Sequence, residues 1–144
     1  MTAVSFGGEA RCLVVASPQY LASRGKPKTP EDLRAHECIR IRLPSGKVFH
    51  WEFAKRQQDV SIDVPGTLML DQESLSIQAA VQGLGLAYVF ERSVSALLSE
   101  GRLVAVLQDW CPTFPGMFLY YPGHRHIPLP LRAFIDALKT SRIA

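Results

Sequence analysis

A chain of 144 residues that is 47% hydrophobic and 20% charged has enough apolar side chains for one core of ordinary size, arranged as a single unit or as two small lobes. Its 16 basic and 13 acidic residues leave a formal charge of +3, spread along the chain and not gathered in a block, which argues against a dedicated polyanion-binding surface. No run approaches the roughly 18 apolar residues of a membrane helix, and Met1 to Ala10 lacks the charged start and apolar stretch of an export signal, so a cytoplasmic location is expected.

In chain order, Cys12-Leu13-Val14-Val15-Ala16 fits a short buried strand that stops at Ser17-Pro18, a capping hydroxyl followed by a proline suited to a first helical turn. A short helix is expected from Pro18 to Arg24, closed by Gly25. Thr29-Pro30-Glu31-Asp32 repeats the start signal, with acidic residues in the first turn, and predicts a second short helix to about His36. Ile39 to Arg42 then alternates, Pro44-Ser45-Gly46 reads as a turn, and Val48 to Phe53 sets Phe49, Trp51 and Phe53 on one face, a hairpin pattern. After a polar turn at Lys55 to Asp59, Val60, Ile62 and Val64 alternate as far as Pro65-Gly66, and Thr67 to Leu70 adds a further strand.

A helix with a broad surface of largely small residues is predicted from about Gln72 to Gln82, ended by Gly83 and Gly85. Leu86 to Phe90 reads as a strand, Arg92 to Ser99 as a helix closed by Gly101, and Arg102 to Leu107 as a strand again, an alternation that argues for an α/β lobe. In the tail, Met117 to Tyr121 reads as a strand, and Leu131, Phe134, Ile135 and Leu138 recur at i, i+3, i+4 and i+7 on a final helix whose apolar face needs a partner.

Candidate chemistry is sparse. The three cysteines, Cys12, Cys38 and Cys111, form no CxxC pair and argue against a secreted disulfide framework; Cys12 and Cys38 read as small buried hydrophobes. His36 with Cys38, and His124 with His126, have a spacing that puts two ligands on one strand face, but the second pair flanks an arginine in a loop, and no metal site or cofactor is expected. No GxSxG elbow accompanies the serines, Glu31-Asp32 belongs to a helix first turn, and Gly83-Leu84-Gly85 comes after a helix where a phosphate loop would precede one. An enzyme is therefore not expected. A ligand crevice remains: Leu43-Pro44-Ser45-Gly46 offers a hydroxyl and backbone groups at a strand end, while Asp71-Gln72-Glu73-Ser74 places polar side chains and N–H groups at a helix start. If the loops converge they make the polar end of a pocket walled by Phe49, Trp51 and Tyr88; the same residues also read simply as turn and cap positions.

The order of these landmarks carries more than any one of them. Gly83-Leu84-Gly85-Leu86-Ala87-Tyr88-Val89, then Gly101 to Leu107, then Asp109-Trp110-Cys111-Pro112 through Tyr120-Tyr121-Pro122 closely resemble the effector-sensing half of LysR-type transcriptional regulators. Val15 to Leu21, Thr29 to Leu33, His36 to Ile39, and Leu43-Pro44-Ser45-Gly46 through Trp51-Glu52-Phe53 are similar to earlier landmarks of the same domain.

The resemblance implies a periplasmic-binding-protein-like (type 2) α/β fold of two lobes joined by crossing strands, with a small effector in the cleft and no enzymatic activity. It implies that residues 11–144 are this domain after a leader or tag-like segment at 1–10, that 16–106 match the second lobe, and that 117–140 return to the first. The early first-lobe elements and the winged helix-turn-helix have no counterpart, so DNA contact is expected only through an absent N-terminal domain, with no direct nucleic-acid or membrane binding by this chain. Leu43, Pro44, Ser45, Gly46, Asp71, Gln72, Glu73, Ser74 and Tyr88 become the expected effector contacts. Asp71, where relatives often carry asparagine, makes the pocket mouth acidic unless Arg42 or Lys47 offsets it. Leu75, Ala79, Gln82, Leu131, Phe134, Ile135 and Leu138 become the expected interface of a homo-oligomer. The alternative is a stand-alone dimerisation or interaction module without an effector.

Overall fold

In the computed structural model, residues 3–5, 10–113 and 118–120 are described. After β1 (Ala3–Ser5), the spine of the molecule is β2 (Cys12–Ala16), all five of whose residues are buried. Burial on both faces explains why this strand reads as an unbroken apolar run and not as an alternation.

Local capping chemistry sets the next two elements. Ser17 Oγ accepts the Tyr20 N–H at 3.1 Å to start α1 (Pro18–Arg24), and Gly25, at φ +83°, donates its N–H to the Leu21 carbonyl at 2.8 Å to end it. The second predicted helix is a 3-10 helix, Pro30–Ala35, and not an α-helix. Its bonds are the tight i→i+3 kind, Asp32 N–H to Thr29 O and His36 N–H to Leu33 O, and so short a segment is held instead by side chains at its ends. The Asp32 carboxylate accepts the Lys28 and Thr29 N–H groups at 2.8 and 3.1 Å, and Arg24 donates to the Ala35 carbonyl at 2.9 Å.

The β-rich middle comprises β3 (Arg40–Arg42), β4 (Val48–Phe49), β5 (Trp51–Lys55), β6 (Gln58–Ile62) and β7 (Met69–Leu70). The single strand expected over Val48 to Phe53 is divided at exposed His50: β4 pairs with β3, while β5 pairs with β6. Phe49, Trp51 and Phe53 nevertheless share the inward face, at 2%, 0% and 3% exposure. Each contributes roughly 1.5–3 kcal/mol or more of hydrophobic stabilisation by leaving water. The β5–β6 turn is tighter than its polar sequence implied. Arg56 and Gln57 both take left-handed backbone, φ +53° and +66°, the signature of a two-residue hairpin turn that matches strand twist.

The second half supplies α2 (Glu73–Val81), β8 (Ala87–Phe90), α3 (Glu91–Ser99), β9 (Val104–Val106), a 3-10 turn at Gln108–Trp110, and β10 (Phe118–Tyr120). β8 and β9 flank β2, both antiparallel, with Val14 opposite Tyr88 on one side and Val106 on the other. Both helices end in the same doubly hydrogen-bonded way. Gly83 N–H reaches Ala80 O and Leu84 N–H reaches Ala79 O, each at 3.0 Å, and Gly101 and Arg102 repeat the pattern onto Leu98 and Leu97.

The approach to β3 joins the two sheets. Ile39 N–H donates to Leu86 O at 2.8 Å and Leu86 N–H to Glu37 O at 3.0 Å, while on the opposite edge Cys38 N–H donates to Pro65 O and Arg40 N–H to Leu68 O. The crossing is close enough that a Cβ on Gly66 would lie 1.9 Å from the Cys38 carbonyl oxygen, so no other residue fits there.

At the periphery, β1 pairs antiparallel with β10, Ala3 opposite Tyr120, so part of the segment set apart at 1–10 forms a strand with the chain's last described residues. The predicted final helix, with Leu131, Phe134, Ile135 and Leu138, lies outside the described residues, as do His124 and His126.

Candidate functional site

β3 and β7 run parallel, Arg40 beside Met69 and Ile41 beside Leu70, so the chain leaves both strands at the same end. From β3 it enters the Leu43–Gly46 turn, and from β7 it enters Asp71-Gln72 and the start of α2: the two loops singled out in the sequence converge. The first is closed by Leu43 N–H to Lys47 O and Gly46 N–H to Leu43 O, both 2.8 Å, with Gly46 at φ +91°. This geometry leaves Pro44 and Ser45 exposed at the tip, the Ser45 hydroxyl receiving only a long 3.4 Å contact from Lys47 N–H.

Across from it, Gln72 starts α2 without a side-chain cap, so the first-turn amides of Glu73 and Ser74 have no acceptor from that side chain. Arg42 bridges the loops, its guanidinium 3.7 Å from the Asp71 carboxylate, with both side chains a little over half exposed. The acidity that Asp71 brings to the mouth is therefore offset by Arg42. Such an exposed pair contributes little to stability, roughly 0–1 kcal/mol, and is available to exchange partners.

Two expected effector contacts are already engaged elsewhere. The Glu73 carboxylate turns toward the α3 start, accepting Phe90 N–H at 2.7 Å and Ser93 Oγ–H at 2.8 Å, and so caps that helix from seventeen residues away. Tyr88 is buried to 6% exposure; its hydroxyl donates to the Glu52 carbonyl at 2.9 Å, and its ring stacks on Trp51 with centroids 5.4 Å apart, between Phe49 and Phe53. Phe49, Trp51 and Tyr88 are thus one aromatic core and not a pocket wall.

The interface positions also divide. The small-residue face of α2, Ser76, Ala79 and Ala80, packs inward against β8 and β2, because only small side chains let a helix sit this close to a sheet. Ala79 therefore faces the chain's own core, while Leu75 and Gln82 are presented outward.

The cysteine chemistry is quiet. Burial pushes the Cys38 thiol up to about 12 and the Cys111 thiol up to about 11, and raises Cys12 further, which keeps all three protonated and unreactive. His36 and Cys38 do not converge on a cation: His36 Nδ1 is bonded to the Tyr20 hydroxyl, and Cys38 Sγ points to Leu33 O. Among the described residues no group of three or more His, Cys, Asp or Glu could hold a metal. No helix among them is long and apolar enough to cross a membrane.

One polar cluster has no counterpart among the sequence motifs, the Tyr20–His36–Glu37 contacts, whose members sit 16 and 17 residues apart with no pattern to link them.

Comparison with known proteins agrees with this architecture. Residues 3–142 match the family model described as the LysR substrate binding domain. The chain is 40% identical over 143 residues to YcaN of Escherichia coli, an uncharacterized HTH-type transcriptional regulator, covering 99% of this chain and 46% of that one. It is 29% identical to YagP of Escherichia coli, a putative LysR family substrate binding domain-containing protein, covering 84% of this chain and 90% of that protein. The full-length structure of AphB, the Vibrio cholerae virulence activator, superposes with a TM-score of 0.67 at 28% identity, over 99% of this chain and 48% of AphB. The chain thus spans about half the length of YcaN and AphB, and most of YagP. The fold is that of LysR regulatory domains, the type 2 periplasmic-binding-protein-like α/β architecture, and the family is one of transcriptional regulators and not of enzymes. By its sequence over nearly its full length and by its fold, the chain belongs to the LysR substrate binding domain family.

Proposed function

We propose that the chain is the effector-sensing domain of a LysR-type regulator and takes a small molecule at the shared end of β3 and β7. The observation that supports this most directly is the parallel pairing of those strands, which sets the Leu43–Gly46 turn and the Asp71–Ser74 helix start side by side. In α/β sheets, ligands settle outside the carboxyl ends of parallel strands, where loops and helix starts offer polar groups with no partner in the sheet. Ser45 supplies a hydroxyl, Glu73 and Ser74 supply amides, Gln72 supplies a side-chain amide, and the Arg42–Asp71 pair supplies a charge of either sign. The ligand that suits this set is small and polar, carrying both donors and acceptors.

In this reading residues 16–106 form one lobe, and occupation of the mouth shifts the balance between lobe arrangements. The domain works in the cytoplasm as a homo-oligomer and influences DNA through a helix-turn-helix segment outside this chain. A thermal-shift screen of the purified chain against small polar metabolites tests the site. A ligand present at 100 times its Kd raises stability by about 2.7 kcal/mol, and Arg42→Ala or Ser45→Ala, both at exposed positions, should reduce that gain without lowering the ligand-free midpoint. A gain that survives in both variants places the ligand elsewhere.

A second reading, self-association without an effector, has one observation in its favour: Leu75 on α2 and Leu84, just beyond the end of that helix, stand at 42% and 54% exposure. The two readings part at ligand binding: an interaction module loses its association in Leu75→Glu, as sedimentation velocity would show, and gains no stability from any compound in the thermal-shift screen.

A further inference from the structure

Glu73 belongs to two places at once. Its backbone opens α2 at the proposed effector mouth, while its carboxylate reaches across to the β8–α3 junction, accepting the Phe90 N–H at 2.7 Å and the Ser93 Oγ–H at 2.8 Å. Glu91, next to Phe90 in the chain, has a double role of the same kind. Its N–H donates to the Arg11 carbonyl at 2.8 Å, and its carboxylate accepts from Arg11 Nη2 at 3.0 Å.

Arg11 lies immediately before β2, whose first residue, Cys12, stands opposite Phe90. It is on the stretch of chain that leads from β1, the strand paired with β10, into the main body. The α2 start, the α3 start and the entry to β2 are thus tied in series.

Both side-chain links are hydrogen bonds to ionised carboxylates, roughly twice as strong as those between neutral groups. The Arg11 side chain is 25% exposed, and its Nε is buried with no partner among the described residues. Parting from Glu91 would strand a partly buried charge, so the guanidinium follows Glu91 when the α3 start moves.

We propose that Glu73, Glu91 and Arg11 are positioning residues that couple the effector mouth to the entry of β2. A shift of the α2 start passes through the α3 start to the chain joining β1 to β2. Glu73 is the transmitting residue, because a ligand seated on its amide displaces the same residue whose carboxylate holds Phe90 and Ser93. Such coupling is reciprocal, so what the mouth does to Arg11, Arg11 does to the mouth. The proposal rests on the effector site lying at the α2 start, and its test therefore uses no ligand.

Native-state hydrogen exchange of the full, ligand-free chain, read by NMR, supplies that test. Arg11→Met and Glu91→Gln each cut the far link, and the second, at a side chain 44% exposed, serves if the first fails to fold. Each should lower the protection of two distant amides about fivefold, the lower end of coupling between linked sites. One is the Phe90 amide, bonded to Glu73, and the other is the Ser76 amide, bonded to Gln72 O at 3.2 Å in the first turn of α2. The Gly25 amide, bonded to Leu21 O at the end of α1, should keep its protection. Adding Glu73→Ala, which removes the middle link, should abolish the Ser76 response to Glu91→Gln. Phe90 and Ser76 amides protected as in the parent in both variants, an equal loss at Gly25, or a Ser76 response that survives Glu73→Ala would overturn the proposal. None of these outcomes bears on whether the mouth binds a ligand, and a metabolite screen without hits would leave them unchanged.

Discussion

Glu73→Ala separates a structural carboxylate from a ligand-binding one. In the native chain the two Glu73 oxygens accept the Phe90 N–H at 2.7 Å and the Ser93 hydroxyl at 2.8 Å, at the positive end of α3. Phe90 is the residue immediately before that helix, and its phenyl side chain has no polar atom with which to cap it. Removing the carboxylate leaves the helix start uncapped, a loss of about 0.5–2 kcal/mol, and takes away two hydrogen bonds to a charged acceptor at a half-buried site. These terms overlap, and the expected total is about 2 kcal/mol. For a chain of this size that is roughly 6–8 °C in Tm. Glu73→Gln retains an acceptor oxygen and loses mainly the charge at the helix end, so about 0.5–1 kcal/mol is expected. Urea unfolding followed by circular dichroism gives both values, and Gln72→Ala, at an exposed residue that makes no cap bond, should stay within about 0.5 kcal/mol of the parent. A Glu73→Ala chain as stable as the parent, yet deficient in ligand-induced stabilisation, would refute the capping role and return Glu73 to the effector site.

The same geometry sets three more outcomes. Gly66→Ala should lower stability by about 3 kcal/mol or more, seen as loss of soluble folded chain, because its Cβ would have to occupy space 1.9 Å from the Cys38 oxygen. Acid should weaken the fold in two steps. The His36 value is depressed in the folded chain by burial and Arg24, so its contribution is complete above 6.5 and is lost as pH falls through the folded value; Asp32, depressed by the Lys28 and Thr29 N–H groups, acts likewise below 3.8. Unfolding midpoints measured against pH should show both steps, and His36→Gln should remove only the first. A thiol-reactive dye should find Cys12, Cys38 and Cys111 inert in the native chain at mildly alkaline pH, and all three reactive in denaturant.

What could be read in the sequence was what local chemistry determines. Ser17-Pro18, Gly25, Gly83 and Gly101 mark helix ends because capping needs only the neighbouring backbone, and α1 falls where those signals place it. Both site loops were visible for the same reason, as turn and helix-start residues. Their convergence was not, because it depends on β7 lying parallel to β3, a pairing across some thirty residues. The division of β4 from β5 at His50 was hidden in an alternation that remains unbroken through a change of partner strand. The Arg56-Gln57 turn carries none of the glycine or asparagine that usually signals two left-handed residues. On α2 the large apolar residue Leu75 points out and the small ones point in, opposite to the usual pattern, since closeness to the sheet selects size before hydrophobicity. Glu73 and Tyr88 looked like ligand contacts because a carboxylate and a phenol read alike whether they face a ligand or another part of the chain; only the fold shows the Phe90 amide and the Glu52 carbonyl waiting for them.

The central claim, a small-molecule site at the shared end of β3 and β7, is tested most directly by native mass spectrometry of the chain titrated with the best compound from the metabolite screen. The account predicts a complex heavier than the bare subunit by that compound's mass, lost on denaturation and diminished in Ser45→Ala and Arg42→Ala. Adduct formation undiminished in both variants, or bare subunits at every concentration that shifts the melting curve, would contradict it.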